Sequence, residues 1–309
     1  MKIRKVTAAF FSPGGNVEKI AIAIGRTAAE MLEAEFEMFD FLPPGERDGV
    51  RNFDSDEFLI IGLPVFAGRL PNKILPFVQS GFRAAEASPD SSALCIPFVS
   101  FGNRSFDDGL SELVMEMRNS GFEIAGAAAV VGQHSFCETL APGRPDEKDM
   151  EEIKNFSRDV CRNIISIKDE DVGSSSKETI SAIGSMGFDK TKEGSKLVVP
   201  GNTPPGPYYT PLREDGERAV FLKAKPLTDA EKCDGCMDCA NRCPMGSISQ
   251  EDPSEVPGIC IKCQACIKVC HADAKYFDDP DFLSHRKFLD SNHKEEKRNL
   301  FVLTEFCSF

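Results

Sequence analysis

Eight of the twelve cysteines fall in two runs that have the same spacing. The runs are Cys233, Cys236, Cys239 and Cys243, followed by Cys260, Cys263, Cys266 and Cys270. Steps of two intervening residues let a tight loop point three thiolates into one small volume, as a [4Fe-4S] cluster requires. Zinc modules instead pair their cysteines in twos across a longer gap. The spacing therefore predicts two iron–sulfur clusters, and with them electron transfer.

The fourth thiolate of each cluster has to come from outside its own loop. In the two-cluster arrangement the last cysteine of each run serves the other cluster. This pattern assigns one cluster to Cys233, Cys236, Cys239 and Cys270, and the second to Cys260, Cys263, Cys266 and Cys243. Pro244 follows Cys243 as in the bacterial motif, whereas His271 stands where the second proline would be. Because all eight thiolates are present, we expect His271 to shape its loop or to donate a hydrogen bond near a cluster.

The chain is acidic and longer than one small domain. Its 309 residues suit about two domains, and its formal net charge is −13. This charge argues against nucleic acid or an anionic membrane as a partner and favours redox donors and acceptors with basic docking surfaces. The sequence contains no credible signal peptide and no apolar stretch approaching the roughly eighteen residues of a membrane span. We therefore expect a reducing cytoplasm without disulfides, and the cluster chemistry suggests an anaerobe.

Residues 3–167 alternate short apolar runs with amphipathic helical stretches, which predicts a doubly wound α/β domain around a parallel sheet. Five strands are predicted, at residues 3–11, 36–42, 57–66, 93–101 and 123–131. Four helices are predicted, at residues 17–34, 72–82, 106–120 and 147–167. Ligands of such sheets bind outside the carboxyl ends of the strands. The loops after the first, third and fourth strands are therefore the candidate site.

The loop after the first strand reads Ser12-Pro-Gly-Gly-Asn-Val17 and leads directly into a helix. Its glycines and the helix N-terminus can turn backbone N–H groups toward an anion. The loop contains no lysine or arginine, which suits a phosphate monoester held by neutral donors. It matches neither the Walker motif nor the dinucleotide motif, and a loop that only caps the helix is the alternative. The loops after the third and fourth strands, 64–68 and 101–104, each join small residues to one aromatic residue.

With these loops and the two cysteine runs, the sequence resembles the flavodoxin-like family, in particular proteins that fuse a flavodoxin-like domain to a two-cluster ferredoxin. The resemblance implies a five-stranded parallel sheet of order 2-1-3-4-5 and a small α+β ferredoxin domain. It implies that the phosphate of FMN is held by Ser12, Gly14, Gly15, Asn16 and Val17. It implies that the isoalloxazine ring is framed by Pro64, Val65, Phe66, Ala67, Gly68, Phe101, Gly102, Asn103 and Arg104. Gly14 and Val17 stand where the family commonly has hydroxyl residues, which leaves fewer donors for the phosphate.

Two phenylalanines, one histidine and four further cysteines also lie at positions of interest. Phe66 and Phe101 are best placed to stack on the flavin, and core packing is the alternative for each. His134, after the fifth strand, is a candidate for the edge of the cofactor or for a surface or capping group. Four cysteines lie outside the two runs. Cys95 and Cys161 are expected to be buried thiols, Cys137 lies close to the ring loops, and Cys307 lies near the C-terminus.

The predicted organisation has four parts. A flavodoxin-like domain spans residues 1–168, a Pro/Gly/Ser-rich connector 169–225, the ferredoxin domain 226–277 and a helical tail 278–309. The connector is either a flexible tether or a segment packed on both domains. The predicted function is an intracellular electron-transfer flavoprotein that passes electrons between two [4Fe-4S] clusters and FMN, without a catalytic acid–base side chain. The alternatives are a ferredoxin carried on a flavin-free docking module and a flavin-dependent reductase of a small oxidant.

Overall fold

The computed structural model of the protein describes residues 2–85, 92–170 and 197–304. Its centre is a sheet of five parallel strands: β1 Lys5–Phe10, β2 Glu35–Asp40, β4 Glu57–Pro64, β6 Leu94–Phe101 and β8 Gly126–Val131. They lie in the order β2-β1-β4-β6-β8. The predicted fold class and the order 2-1-3-4-5 are therefore confirmed. Three short strands, β3 Arg51–Phe53, β5 Phe82–Ala84 and β7 Glu123–Ile124, lie beside this set, with β3 paired to β5 and β7 to β6.

Two helical layers bury the sheet on both faces. Helices α1 Asn16–Leu32 and α4 Glu147–Glu170 pack on one face, and α2 Leu75–Ser80 and α3 Gly109–Asn119 on the other. Successive residues of a strand point to opposite faces, so Phe98 of β6 enters one core and Val99 the other. This double burial explains why the central strands read as continuous apolar runs.

The C-terminal tail adds a strand that the sequence reading did not predict. The tail begins with helix α7 Pro280–Asn292, whose N-terminus is capped by the carboxylate of Asp279, and continues to β11 Leu300–Leu303. Strand β11 pairs antiparallel with β8 at the edge of the central sheet. Its alternating residues Phe301 and Val302 pack against the two different cores. The tail is therefore helical only in its first part, because its last apolar residues have a strand period and complete the sheet.

The described part of the connector packs first on the first domain and then on α7 and the second domain. The carboxylate of Asp108 accepts hydrogen bonds from the backbone N–H groups of Asn202, at 2.8 Å, and Gly206, at 2.7 Å. Further along, the Tyr208 hydroxyl donates to the carbonyl of Leu70 at 2.9 Å. Over these residues the connector therefore lies against the first domain. Beyond them, the backbone N–H of Val220 donates to the carboxylate of Asp281 in α7 at 2.6 Å, and Lys262 of the second domain donates to the carbonyl of Leu222. Residues 171–196 of the predicted connector lie outside the described residues.

The second domain is small and has internal symmetry. Helices α5 Asp238–Asn241 and α6 Ala265–Lys268 each begin after a residue with positive φ, and strands β9 Leu227–Thr228 and β10 Lys275–Tyr276 form an antiparallel pair. The domain packs against the carboxyl end of the central sheet, where Met245 and Ile261 touch the core of the first domain. None of the helices in the described ranges is both long and apolar enough to cross a membrane.

Candidate functional site

The loop after β1 is shaped by a glycine and a buried hydroxyl. Gly15 has φ +86°, a conformation that a residue with a side chain rarely adopts, and it allows α1 to begin at Asn16. Ser12 is fully buried, and its Oγ accepts a hydrogen bond from the backbone N–H of Glu18 at 2.9 Å. This bond satisfies one of the free N–H groups at the start of the helix. The remaining turn faces a cavity at the carboxyl end of the sheet.

That cavity, called here the flavin cavity after the cofactor that the sequence implies, encloses about 500 Å³ of space, which includes open solvent. The predicted residues that line it are Ser12, Gly14, Asn16, Val17, Pro64, Val65, Phe66, Phe101 and Gly102. The structure thus brings the three predicted loops together. Its remaining lining residues are Pro13, Ser100, Gln133, His134, Ser135, Cys263 and Lys268.

Five predicted residues lie outside this lining: Gly15, Ala67, Gly68, Asn103 and Arg104. Gly15 and Gly68 have positive φ and shape their turns. The carbonyl of Ala67 accepts a hydrogen bond from the backbone N–H of Tyr209 in the connector, at 2.8 Å. These three residues therefore support the loops rather than face the cavity.

The other two are engaged by the tail and the connector. The side-chain amide of Asn103 donates to the carbonyls of His293, at 2.6 Å, and Glu295, at 3.0 Å. Arg104 pairs with Asp107, and its guanidinium lies 4.1 Å from the ring centre of Tyr209. Contacts with segments distant in sequence thus turn both side chains away from the flavin cavity.

The two candidate stacking rings have different environments. Phe66 is half-buried at the cavity, which leaves its ring available to a planar ligand. Phe101 is 4% exposed and packs edge-to-face against Phe106, with ring centres 5.2 Å apart. Phe101 is therefore mainly a core residue that forms one wall of the cavity, and Phe66 is the better candidate for stacking.

His134 also lines the flavin cavity, close to the backbone of Gly102. A Cβ atom on Gly102 would lie 2.8 Å from Cγ and 2.9 Å from Cα of His134, so only glycine fits there. Burial, with further contributions from nearby positive groups, lowers the pKa of His134 to about 3. The imidazole is therefore neutral at physiological pH. Its Nδ1 accepts a hydrogen bond from the backbone N–H of Phe136 at 3.4 Å, which leaves Nε2 as the ring nitrogen that carries the proton.

Four thiols line a second cavity, called here the inner cysteine site: Cys243, Cys260, Cys263 and Cys266. Cys243 belongs to the first run in sequence, yet it lies with three cysteines of the second. Backbone N–H groups point at two of these sulfurs, from Ser247 to Cys243 at 3.3 Å and from Lys262 to Cys260 at 3.4 Å. Such bonds are among the features by which proteins tune the reduction potential of a cluster.

The remaining run cysteines form what we call the outer cysteine site: Cys233, Cys236, Cys239 and Cys270. Cys239 interacts electrostatically with Cys233 and Cys270, and the backbone N–H of Ala274 points at the Cys270 sulfur at 3.2 Å. Cys236 is exposed. The inner site thus brings together the four cysteines that the pattern assigns to the second cluster, and in the other set Cys239 interacts with Cys233 and Cys270.

His271 contacts a carboxylate beside the outer cysteine site. Its Nε2 lies 2.9 Å from Oδ2 of Asp234, whose Oδ1 accepts a hydrogen bond from the backbone N–H of Cys236 at 3.1 Å. His271 thus braces the cysteine loop through Asp234. The lowered pKa of Asp234 has the same origin, first the Cys236 N–H and then His271.

Among the described residues, the cysteines outside the two runs line neither cavity. Cys95 and Cys161 are buried in the cores of the first domain, as expected. Cys137 is buried beside α7, where it packs with Leu140 and Leu289. Cys307 lies outside the described residues.

The donor sets fit the cofactors that the sequence implies. Burial raises the pKa of Cys263 to about 12 and that of Cys266 well above its usual value. Thiols whose pKa is raised stay protonated at neutral pH unless a metal binds them. An iron–sulfur cluster would bind all four cysteines of this site as thiolates. The flavin cavity offers one half-buried aromatic ring and a turn at a helix N-terminus, which suit the ring and the phosphate of a flavin mononucleotide.

Sequence reasoning missed the two residues that the second domain adds to the flavin cavity. Cys263 lines both this cavity and the inner cysteine site, and Lys268 is the last residue of α6. No local pattern indicates that they meet loops that lie more than 120 residues earlier in the chain. Gln133 and Ser135 could have been found, because they follow β8 at the same edge of the sheet.

Comparison with known proteins agrees with this description. Residues 226–249, which contain the first cysteine run, match the family model of the 4Fe-4S binding domain. No curated protein matched the chain.

Solved structures similar to the chain include a flavodoxin from the domain Archaea, with 17% identity over 52% of this chain and 99% of that chain, at a TM-score of 0.35. A flavodiiron core from Synechocystis has 17% identity over 53% of this chain and 37% of its own, at a TM-score of 0.37. Rubredoxin oxygen:oxidoreductase from Desulfovibrio gigas has 14% identity over 52% and 36%, at 0.36.

By its strand order the first domain has a flavodoxin-like fold, and the matched motif shows that the second domain contains a 4Fe-4S binding domain. A [4Fe-4S] binding domain joined to this fold indicates electron transfer.

Proposed function

We propose that the protein is an electron-transfer flavoprotein that carries two [4Fe-4S] clusters and FMN. The single observation that carries the proposal is Cys263, which lines both the inner cysteine site and the flavin cavity. When bound, the clusters accept single electrons and FMN accepts one or two, which couples one-electron to two-electron carriers. The chain contributes binding, orientation and exclusion of water.

The two cysteine sites have different surroundings, which supports different roles. In the inner site Cys263 and Cys266 are buried, and this site shares a wall with the flavin cavity. In the outer site Cys236 is exposed, and the exposed acids Asp234 and Asp238 lie beside it. The outer site is therefore the face at which we expect partner proteins to dock. Its acidic rim would favour the basic partners that the net charge suggests.

Contacts between the domains hold the two cavities together. Arg242 of the second domain donates to the carbonyl of Ser12 at 3.2 Å, and its guanidinium lies 3.6 Å from the carboxylate of Asp40. Arg47 of the first domain donates to the carbonyl of Pro244. These bonds, at the carboxyl end of the central sheet, support a fixed geometry between the flavin cavity and the inner cysteine site.

The first test is anaerobic purification followed by measurement of iron, sulfide and flavin. The proposal expects roughly eight irons and one FMN per chain. A chain that retains iron but binds no flavin after reconstitution would instead be a ferredoxin on a flavin-free docking module. Turnover of a small oxidant, rather than exchange with other carriers, would indicate a flavin-dependent reductase.

Two cysteine variants test the roles of the two sites. Cys243→Ala removes the fourth thiolate of the inner site, and Cys270→Ala that of the outer site, so each should leave about four irons. Electron paramagnetic resonance of the reduced variants identifies the remaining cluster. Flavin reduction by an external donor should become slow in Cys243→Ala. The buried Cys95→Ala variant serves as a control with full iron content. Equal flavin reduction in Cys243→Ala and the control would contradict the proposed relay.

A further inference from the structure

The phosphate end of the flavin cavity lacks positive charge in its own loop. The sequence from Ser12 to Val17 contains no lysine or arginine, and Ser12 is its only hydroxyl residue. A phosphate monoester carries a charge of about −1.5 to −2 at neutral pH. The chain itself has a net charge of −13, which disfavours a further anion. A neutral loop in an acidic protein is therefore an incomplete site for FMN.

The second domain brings an ammonium group to this loop. Lys268 is the last residue of α6, and its backbone N–H bonds to the carbonyl of Gln264 at 3.0 Å, which fixes the base of the side chain. Its Nζ lies 3.2 Å from the position that a Cβ atom on Gly14 would take. The missing side chain of Gly14 thus leaves the space that the ammonium occupies. Lys268 also lines the flavin cavity together with Ser12, Asn16 and Val17.

Lys268 differs from the other cation that the second domain brings to the loop. Arg242 is paired with Asp40 and bonds to the backbone of Ser12, so its charge is already compensated. Within the described ranges, Lys268 has no carboxylate within ion-pair distance, although Glu138 acts on it electrostatically from farther away. Its three N–H donors are therefore available to a ligand.

We propose that Lys268 binds the phosphate of FMN and that the ferredoxin-type domain thereby completes the flavin site. This inference rests on the proposed function, because it assumes that FMN occupies the cavity. It makes flavin retention depend on the folded second domain, since Lys268 lies between two of the predicted cluster cysteines, Cys266 and Cys270. It also predicts selectivity, because riboflavin has the same ring but no phosphate.

The test uses the full-length protein with its clusters intact, freed of flavin and titrated anaerobically with FMN and with riboflavin by fluorescence quenching. Lys268→Met should weaken FMN binding by roughly 10- to 100-fold, the effect of a hydrogen bond to a charged group, and leave riboflavin affinity unchanged. Lys268→Arg should retain most of the FMN affinity. Lys148→Met removes the same charge from the exposed start of α4 and should have no effect.

The outcomes separate this inference from the function on which it rests. Wild-type FMN affinity in Lys268→Met, or equal loss of FMN and riboflavin affinity, would overturn the role of Lys268 and leave the flavoprotein proposal intact. Wild-type protein that binds neither flavin would overturn both. Iron content equal to wild type in each variant establishes that the second domain has folded around its clusters.

Discussion

Gly102 offers a sharp test of the flavin cavity because a single added carbon would displace its wall. A Cβ atom there would lie 2.8 Å from Cγ and 2.9 Å from Cα of His134. Ordinary contacts to a Cβ begin near 3.4 Å, so relief of the contact with Cα alone requires the two loops to separate by about 0.5 Å. The contact with Cα involves backbone, and rotation of the histidine cannot relieve it. Gly102→Ala therefore has to move one of two cavity loops.

The cost of this movement sets the expected magnitude. Overpacking of this kind costs about 1–3 kcal/mol. If the Gly102 loop relaxes into the cavity, the same free energy is needed to restore the flavin-binding shape. Gly102→Ala should then bind FMN roughly 5- to 150-fold more weakly than wild type.

Flavin fluorescence titration measures the FMN affinity, and thermal unfolding of the flavin-free protein measures the strain. Gly45→Ala is the matched control, because a Cβ atom on Gly45 would meet nothing within 4 Å. Wild-type FMN affinity in Gly102→Ala together with a lowered melting temperature would show that the strained loop does not form the flavin wall. That result would refute the assignment of this cavity.

Three further predictions concern the rim of the outer site, the buried histidine and the tail. Asp238 lies beside the exposed Cys236, and Asp238→Asn should slow electron exchange with basic cytochrome c at low ionic strength. A wild-type exchange rate that does not vary with salt concentration would contradict electrostatic docking. The lowered pKa of His134, about 3 against an unfolded value of 6.5, makes the folded state less stable as the pH falls below about 6.5. Between pH 7.5 and 5.5, His134→Gln should thus lose about 1.4 kcal/mol less stability than wild type in thermal unfolding, and equal losses would contradict its burial as a neutral group. The side chain of Asn299 accepts a hydrogen bond from the Val131 N–H at 3.0 Å, and Asn299→Ala removes this acceptor. The variant should lose about 1–3 kcal/mol of stability and have a lower melting temperature. An unchanged melting temperature would show that this contact of the tail contributes little to stability.

The fold of the first domain was predictable because the physics of a doubly covered sheet is local. Strands β4 and β6 are buried on both faces, so their residues form nearly continuous apolar runs in the sequence. Loops at the carboxyl ends of parallel strands converge by topology alone, which is why nine predicted residues line the flavin cavity. The position of Cys243 beside Cys260, Cys263 and Cys266 was equally predictable, since cluster geometry dictates the spacing of the cysteines.

Two of the three departures arise from contacts between segments distant in sequence. Asn103 was expected at the flavin ring, but its amide is bound by carbonyls of the tail, 190 and 192 residues later. Phe101 lies mainly in the core because Phe106 packs on it. Strand β11 pairs with the edge strand β8 of the central sheet. A short apolar run in the sequence does not indicate which sheet edge it will pair with.

The sequence by itself determined the kinds of chemistry, since thiolate spacing and glycine-rich turns constrain ligands within a few residues of backbone. Tertiary structure decided how the two chemistries meet. Packing of the second domain on the carboxyl end of the sheet makes Cys263 a wall shared by the inner cysteine site and the flavin cavity, and it brings Lys268 to the phosphate loop. The physical reason is that domain docking depends on the fit of whole surfaces and on bonds such as Arg242 to Ser12, which are 230 residues apart. No local pattern encodes such a contact.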